Sequence, residues 1–390
     1  MKRSLQETIG VSLNRMGGIA VNLVSRVANT RRPTCGKTIL FESFYGENMG
    51  CSPRVIYEYM RKHYPGEFIY VWAVKQPERY KGIAERNDTI VCEYLSELHR
   101  MYCCTAKVLV CNCVRDGSLP SRKEQVQINT WHGGGCYKSV GTAQRGSNAL
   151  RNAFYRMRTT RWDYFLSSCQ LFSNIELRQQ MGYSGEILSW GLPRNDCLIT
   201  PSLSDVVRAR EKLDIPADVI TVLVAPTFRD DGSIASIPDC TLLRQVVESR
   251  FGKRVFLMYR GHPSTSTANI TPKFDVDLTH YEDSQGTLLA SDVLITDFSS
   301  ILWDFSLLNR PLFLYAPDYD EYVESRGFCV TPEIWGFTFS RNDEQLAQAV
   351  TAFDAGEHMQ AIEAHQEFFG TYETGNATVR VADLIKRECG

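Results

Sequence analysis

Short apolar stretches alternate with longer amphipathic ones along most of the chain, and this alternation restarts once. The apolar stretches are rich in Val, Ile and aromatic residues and have the length of buried strands. Helical patterns separate them, and such an alternation predicts parallel sheets. The predicted strands are 37–44, 68–74, 88–94, 106–112, 126–132 and 164–168, followed by 219–228, 254–263, 292–300 and 311–318.

A segment rich in Pro, Ser and Asp, LPRNDCLITPSLSD at 192–205, interrupts the pattern. The length of 390 residues also exceeds what one ordinary core holds. We therefore expect an α/β protein with two Rossmann-like domains, whose parallel sheets face each other across a cleft. The predicted division is an N-terminal segment 1–35, a first domain 36–200 and a second domain 201–390.

Polar residues follow the predicted strands of the second half, where ligands bind in such sheets. These strand-end residues are Pro226 and Thr227, then Arg260, Gly261 and His262, then Asp297 with Ser299 and Ser300 at the start of a helix, and Asp304 one turn further. The start of a helix with two hydroxyl groups can bind phosphate, and Asp304 could reach a ribose diol. Arg260 and His262 are expected to be buried cations, which need an anionic partner. The alternative for Asp297 and Ser299 is plain helix capping, and Thr227 on its own favours a structural role.

The stretch INTWHGGGCYKSVG, at 128–141, places Trp131 and His132 at a strand end, directly before Gly133, Gly134 and Gly135. Glycines allow backbone N–H groups to approach a phosphate closely, and an imidazole can act as a general base near neutral pH. The alternative is a tight turn beside a core histidine. The chain has neither a GxxxxGK[ST] motif nor a GxGxxG motif in its first βα turn, which argues against P-loop NTPases and dinucleotide oxidoreductases.

The amino-acid composition further restricts the class of protein to which the chain can belong. The net charge of −2 and the 43% hydrophobic content are those of a globular protein with no overall attraction to nucleic acid. The 13 cysteines are scattered without a CxxC pair, so we expect buried, reduced thiols in a cytosolic protein and no metal site. No signal peptide or membrane-spanning apolar run is evident.

Two basic segments are candidates for contact with an anionic membrane surface. Residues 1–32 carry six Lys or Arg against one acid, and 145–162 carries five Arg and no acid. The pattern of the first segment predicts an amphipathic helix, which either lies on a membrane surface or packs on its own domain. The second segment either contacts lipid or forms a solvated face. The apolar helical face of the first consists of Leu5, Ile9, Leu13, Met16, Ala20, Leu23 and Val27.

Five ordered motifs resemble the CDP-glycerol glycerophosphotransferase family of teichoic acid and capsule synthesis. They are TWHGGGCYKSVG, GLPRND, VLVAPTFRDD, YRGHP and DVLITDFSSILWDFSLLNRPLFLYAPDYDEY, and the resemblance spans about 37–325. Many members have WHGTP where this chain has WHGGG. The resemblance implies a GT-B-like enzyme that transfers glycerol phosphate, or a related polyol phosphate, from CDP-glycerol to a hydroxyl of a membrane-bound teichoic acid or capsule acceptor, releasing CMP.

The resemblance also implies which residues act. His132 would be the general base, and Arg260, His262, Ser299 and Ser300 would stabilise charge on the diphosphate. The implied CDP-glycerol contacts are Trp131, His132, Gly133, Gly134, Gly135, Arg194, Pro226, Thr227, Arg260, Gly261, His262, Ser299, Ser300 and Asp304.

The implied setting is the inner face of the cell membrane, with the protein cytoplasmic and peripheral. The expected partners are a CDP-polyol donor, a lipid-linked glycan or polyol-phosphate acceptor and an anionic membrane surface. We expect no cofactor and no bound nucleic acid. A homo-oligomer is compatible with the sequence. Three alternatives stay open: a GT-B glycosyltransferase using a nucleotide sugar, a transferase specific for CDP-ribitol, and a catalytically silent nucleotide-binding scaffold.

Overall fold

A computed structural model describes residues 17, 18, 20–29, 31–143, 148–229, 236–261 and 273–390. Within these residues, thirteen strands form two sheets. The first sheet consists of β1 (Cys35–Glu42), β2 (Ile69–Val74), β3 (Thr89–Glu93), β4 (Ala106–Cys111), β5 (Val126–Asn129), β6 (Tyr164–Leu166) and β7 (Glu186–Leu188). The second consists of β8 (Val219–Ala225), β9 (Arg254–Tyr259), β10 (Val276–Asp277), β11 (Val293–Thr296), β12 (Leu312–Tyr315) and β13 (Phe339–Ser340).

Both sheets are parallel and doubly wound. Their strand orders are β3-β2-β1-β4-β5-β6-β7 and β10-β9-β8-β11-β12-β13, and every strand pair is parallel. The order reverses between β1 and β4 in the first sheet and between β8 and β11 in the second, and ligands bind at such switch points. The predicted fold class and all ten predicted strands are confirmed; β7, β10 and β13 were not predicted.

The helices alternate with the strands and lie on both faces of the sheets. They are α1 (20–29), α2 (Cys51–His63), α3 (Lys81–Ala84), α4 (Glu97–Thr105), α5 (Ala149–Thr159), α6 (Asp196–Ile199), α7 (Leu203–Glu211), α8 (Cys240–Phe251), α9 (Ser284–Ala290), α10 (Ile301–Ser306), α11 (Tyr319–Ser325), α12 (Asp343–Thr351), α13 (Ala355–Phe369) and α14 (Ala377–Cys389). A π-helix spans Phe172–Gln180. None of the helices in the described ranges is long and apolar enough to cross a membrane.

Side chains at the helix starts explain several of these boundaries. Ser202 and Asp205 form a reciprocal capping box at α7, and Asp239 accepts two backbone N–H bonds at the start of α8. Such bonds satisfy backbone donors that have no partner inside the helix. At the other end, α8 stops at Gly252, whose φ of 69° is the left-handed conformation that favours glycine.

The last helix crosses back to the first sheet. Val381, Leu384 and Ile385 of α14 are buried in the same core as Ile56 of α2 and Trp72 of β2. The predicted second domain, 201–390, included this helix, whereas the structure packs it on the first domain. The physical reason is its amphipathic pattern, which supplies an apolar face to α2 and β4.

The two domains are in extensive contact. One buried cluster contains Phe165 and Tyr137 from the first half of the chain together with Trp303 and Trp335 from the second. A short antiparallel bridge pairs Lys138 with Phe328 across the boundary. The carboxyl ends of the two sheets are therefore held close together, on either side of the segment that contains the three glycines.

Candidate active site

His132 lies just beyond the carboxyl end of β5, beside the switch point of the first sheet. Its Nδ1–H donates to the backbone carbonyl of Asn112 at 2.6 Å, and the ring meets the Phe44 ring edge-on at 5.6 Å. Asn112 follows β4 and is itself fixed, because its Oδ1 accepts from the Phe44 N–H at 2.8 Å and its Nδ2 donates to Ser43 Oγ. No described residue bonds to Nε2, so the tautomer leaves a lone pair at that atom.

The surroundings of His132 favour the neutral imidazole. Burial, together with the smaller effect of the positive charge of Arg194, lowers the pKa of His132 to about 4, although the hydrogen bond to Asn112 acts in the opposite direction. At neutral pH the ring is therefore uncharged and able to accept a proton at Nε2. This is the protonation state that a general base requires.

Backbone strain is concentrated around this histidine. Trp131 has a φ of 52°, and Phe44, Tyr45 and Cys51 have φ values of 46°, 56° and 60°. Residues other than glycine rarely adopt this left-handed conformation, and when they do they cluster at functional sites. The strained residues all lie where the chain leaves strands of the first sheet or enters the helix that follows.

The three glycines meet different neighbours, and two of them are required by packing. A Cβ on Gly134 would lie 2.0 Å from Cδ1 of the buried Trp303, and one on Gly135, whose φ is +71°, would lie 2.4 Å from Tyr137. A Cβ on Gly133 would instead be 3.4 Å from Ser300 Oγ, so this glycine faces the hydroxyl of the second domain. The glycine run therefore allows the two domains to pack closely at Gly134, and it leaves the backbone of Gly133 free of a side chain opposite Ser300.

Arg194 connects His132 to the second domain. The guanidinium is buried; its Nη1 donates to the His132 carbonyl at 2.6 Å, and its Nη2 pairs with the Asp304 carboxylate at 2.8 Å. A short 3-10 turn, Pro193–Asn195, presents this side chain. In the sequence, PRND lies within the Pro-, Ser- and Asp-rich segment that interrupts the strand–helix pattern, and only the family resemblance implies a role for Arg194.

Asp304 has its partners inside the protein. Arg194 and Asn195 bond to its Oδ1 at 3.1 and 2.9 Å, and Gln285 bonds to its Oδ2 at 3.3 Å. Burial raises the pKa of Asp304, which the charge of Arg194 opposes. The expected contact with a ribose diol is not favoured by this arrangement, because both oxygens already hold Arg194 in place.

Glu373 extends this network and was missed by sequence reasoning. Its Oε1 accepts from Asn195 at 3.0 Å and from Trp303 Nε1 at 3.2 Å, while its Oε2 accepts from the Leu192 N–H at 2.9 Å. Burial raises the pKa of Glu373 to about 7. Nothing in the sequence around Glu373 or Gln285 signals this role, because their partners lie far away along the chain.

At the switch point of the second sheet, Thr227 and Asp297 meet. The Thr227 N–H donates to Asp297 Oδ1 at 2.8 Å, and Asp297 Oδ2 pairs with Arg229 at 2.9 Å. Asp297 is thus not a helix cap. The Thr227 hydroxyl, next to Pro226, is buried and has no hydrogen-bond partner among the described residues.

The start of α10 leaves its hydroxyls largely uncommitted. Ser300 makes no side-chain capping bond, and Ser299 Oγ accepts only a long bond, 3.4 Å, from the Ile301 N–H. Both serines are half-buried. Of the two, the structure places Ser300 against Gly133 on the other side of the crevice.

Arg260 is a half-buried cation with neutral partners. Nη1 donates to the carbonyls of Leu278 and Tyr281, each at 2.9 Å, and Nη2 donates to Ser284 Oγ at 2.8 Å. Burial lowers the pKa of Arg260, and the charge of Asp283 opposes this. Within the described ranges it forms no ion pair with a carboxylate. The next residue, Gly261, is described, whereas His262 lies outside the described residues.

The predicted site residues therefore form two groups. Trp131 to Gly135, Arg194, Ser300 and Asp304 belong to one connected set that spans both domains. Pro226, Thr227, Arg260 and Gly261 lie at the carboxyl ends of β8 and β9 and make their bonds within the second domain. The helix α9 links the groups, since Ser284 contacts Arg260 and Gln285 contacts Asp304.

Comparisons with known proteins agree with this architecture. Residues 24–387 match the family described as CDP-Glycerol:Poly(glycerophosphate) glycerophosphotransferase. Over 373 residues the chain is 30% identical to a teichoic acid poly(glycerol phosphate) polymerase of Staphylococcus epidermidis, an alignment covering 90% of this chain and 51% of that protein. Over 370 residues it is 28% identical to a teichoic acid glycerol-phosphate transferase of Staphylococcus aureus, covering 89% and 92%.

The chain thus spans about half the length of the polymerase from S. epidermidis. Among solved structures, that of the wall teichoic acid polymerase TagF is similar with a TM-score of 0.81 at 25% identity, covering 99% of this chain and 96% of that one. The expected GT-B-like arrangement of two parallel-sheet domains is confirmed.

Proposed function

The chain belongs to the CDP-glycerol:poly(glycerophosphate) glycerophosphotransferase family, and we propose that it transfers glycerol phosphate, or a related polyol phosphate, from CDP-glycerol to a hydroxyl of a membrane-bound acceptor. The acceptor would be a teichoic acid or capsule glycan, and CMP would be released. The observation that supports this most strongly is the fixed tautomer of His132 at the crevice between the domains.

His132 serves as the general base in this proposal. Its Nδ1–H is held by the Asn112 carbonyl, so the proton of the acceptor hydroxyl passes to Nε2. The acceptor oxygen forms a bond to the phosphorus that bears glycerol, and the bond from that phosphorus to the CMP oxygen breaks. Arg194 positions the base, because it holds the His132 backbone against Asp304 of the second domain.

The donor diphosphate lies, in this proposal, along the second sheet. Arg260 offers positive charge without a competing carboxylate among its described partners. Ser300 offers a hydroxyl that makes no capping bond, and Thr227 offers one that has no hydrogen-bond partner in the described part of the chain. Charge grows on the bridging oxygen and on CMP during transfer, and preorganised donors of this kind stabilise it. His262, predicted to share this role, lies outside the described residues.

The membrane contact is proposed for α1 and its surroundings. Residues 1–16, which hold much of the predicted amphipathic face, lie outside the described residues. In α1, Leu23 and Val27 are 62% and 67% exposed, whereas the polar Asn22 is buried and donates to the carbonyls of Gly117 and Leu119. A helix packed on its own domain through its apolar face would show the reverse pattern. The exposed apolar face is suited to a membrane surface.

Basic side chains adjoin that helix. Arg158 donates to the carbonyls of Val114 and Arg115, and Arg161 donates to the Leu119 carbonyl, which Asn22 of α1 also contacts. Burial and the charges of Arg115, Arg26 and Arg158 lower the pKa of Arg161. Among the described residues, Arg26 of the first predicted segment therefore lies close to Arg158 and Arg161 of the second, which supports attraction to anionic lipid.

The test is a comparison of donors. Purified protein is incubated with a lipid-acceptor analogue and with CDP-glycerol, CDP-ribitol or UDP-sugars, and released CMP and UDP are measured. The proposal expects acceptor-dependent CMP release and a product whose mass increases by one polyol phosphate. Release of UDP with sugar transfer would establish the glycosyltransferase alternative, and donor binding without turnover in every case would indicate a silent scaffold.

A further inference from the structure

Three potential metal ligands from distant parts of the chain meet at the domain boundary. They are Cys136, directly after the glycine run, Glu176 on the π-helix, and Cys329 in the second domain. Their sulfur and carboxylate atoms all lie within 4.8 Å of one another. The sequence could not indicate this site, because no two of these residues have the close spacing of a zinc motif.

The backbone around the cluster is well defined. The Ser139 N–H donates to the Gly327 carbonyl at 2.9 Å, and the Cys329 N–H donates to the Tyr137 carbonyl at 2.8 Å. These two bonds fix the segment after Cys136 against the segment that carries Cys329. The π-helix, a form found often at functional sites, brings both Glu176 and Gln180 to the same place, and Gln180 Nε2 donates to Cys329 Sγ at 3.2 Å.

The charge of Glu176 has little compensation there. The residue is 5% exposed and forms no ion pair with Lys or Arg of the described chain. Cys329 Sγ donates to Glu176 Oε1 at 3.9 Å, so one thiol of the cluster already contacts the carboxylate. A carboxyl group in this position binds either a proton or a cation.

A second cluster of potential metal ligands already contains a positively charged side chain. Glu42, His99 and Cys103 are equally close together, but Arg115 is buried among them. Its Nε and Nη2 donate to Glu42 Oε1 at 3.0 and 2.8 Å, and Nη2 contacts Cys103 Sγ at 2.8 Å. The guanidinium already supplies the positive charge at that cluster, which leaves no role for a metal ion.

We propose that Cys136, Glu176 and Cys329 bind a thiophilic divalent cation, with Zn²⁺ as the physiological choice. Two thiolates and one carboxylate are ligands that Zn²⁺ prefers, and water would complete a tetrahedron, as in other sites with three protein ligands. Zn–S bonds of about 2.3 Å place two sulfurs about 3.8 Å apart, which is compatible with ligand atoms that all lie within 4.8 Å of one another. Binding releases the protons of the thiols and of Glu176, so it weakens as the pH falls.

Such an ion would join the two domains beside the active crevice. Cys136 follows Gly135, and Cys329 follows the bridge residue Phe328, so the metal would stabilise the contact that positions the glycine run. This inference does not depend on the proposed transfer reaction.

The test uses Co²⁺ as a spectroscopic substitute for Zn²⁺ on the full-length, reduced protein. Co²⁺ should give an absorption band from thiolate ligands and visible bands of tetrahedral geometry, both lost on addition of Zn²⁺. The Cys136→Ser and Cys329→Ser variants should each lose part of the thiolate band, and the double variant all of it. Glu176→Gln should weaken Zn²⁺ binding by about 10²-fold or more, since even outer ligands contribute about 10–100-fold.

Controls separate this site from the other cysteines and from misfolding. Cys35→Ser, at an exposed thiol outside the cluster, should retain the full spectrum. Zn²⁺ should raise the melting temperature of the unaltered protein and of Cys35→Ser but not that of the double variant. A thiolate band that persists unchanged in a folded double variant, or its absence from the unaltered protein, would overturn the proposal.

Discussion

His132 owes its proposed role to neighbours that sequence reasoning did not identify. The motif indicated a histidine at a strand end, but the tautomer is set by Asn112, which follows a different strand, β4. Similarly, nothing in the sequence indicated that Asp304, predicted to contact the donor, pairs with Arg194. Residue types at strand ends could therefore be predicted as a group, whereas the partner of each side chain required the three-dimensional structure.

The pH dependence of the reaction should report the environment of His132. In the free protein, burial and Arg194 lower the pKa of His132 to about 4, so kcat/KM should fall only in strong acid through this group. Bound diphosphate carries negative charge and raises the pKa of a nearby imidazole. The acidic limb of kcat should therefore lie at higher pH than that of kcat/KM. Steady-state rates from pH 4 to pH 8 would show this order, and the reverse order would contradict it.

Arg260 and Ser300 should distinguish the diphosphate from the nucleoside. Arg260→Ala and Ser300→Ala should each weaken CDP-glycerol binding about tenfold or more, because charged hydrogen bonds contribute about 1.5–3 kcal/mol. Cytidine binding should change much less, as cytidine lacks the phosphates. Calorimetric titration measures both, with Arg254→Ala at the exposed start of β9 as the control. Equal losses for the two ligands would show that the residues act only structurally.

At the scale of elements, the hydrophobic pattern predicted most of the structure. Ten buried strands were found because each has a run of apolar residues, whereas β7, β10 and β13 have only two or three residues and leave no such pattern. The packing of α14 on the first domain could not be read from chain order. The sequence pattern singled out the glycine run, whereas the contact of Gly134 with Trp303 depends on the approach of the second domain.

Gly134 should tolerate no side chain. In Gly134→Ala the new Cβ would lie 2.0 Å from the buried Trp303 ring, so the domain contact must shift, at a cost of about 1–3 kcal/mol in the free energy of unfolding. Urea denaturation would measure this loss. The matched control is Gly82→Ala in α3, where a Cβ meets no atom within 4 Å; an equal effect of both substitutions would refute the packing role of Gly134.

The helix α1 should contribute to membrane binding. Deletion of residues 1–32 should reduce sedimentation with anionic liposomes and activity on a lipid-linked acceptor, while a short water-soluble acceptor is used nearly as before. Added salt should weaken the binding of the intact protein. If the truncated protein sediments like the intact one and keeps its lipid activity, α1 is a structural helix.

A smaller change tests the same surface without truncation. The double substitution Leu23→Gln and Val27→Gln alters two exposed side chains of α1 and should reduce liposome binding at unchanged stability. Val207→Gln, at an apolar position of α7 that is 49% exposed, should leave liposome binding as it is.

At the scale of the whole molecule, the site depends on the contact between the two domains. Arg194, Asn195 and Glu373 link the loop of His132 to Trp303 and Asp304 of the second domain. For example, Glu373 lies 178 residues beyond its hydrogen-bond partner Asn195 along the chain. Interactions over such separations leave no signal in a single sequence, so the two-domain architecture could be predicted while the buried network that joins the domains could not.

The most direct test of the proposed mechanism is the rate of CMP release by His132→Ala, measured together with its affinity for CDP-glycerol. We expect a loss of about 10²–10⁴-fold in rate with donor binding, followed by calorimetry, nearly unchanged. His63→Ala, on the exposed end of α2, should retain full activity. Unchanged turnover in His132→Ala, or a loss of rate fully explained by lost donor binding, would contradict the assignment of His132 as the general base.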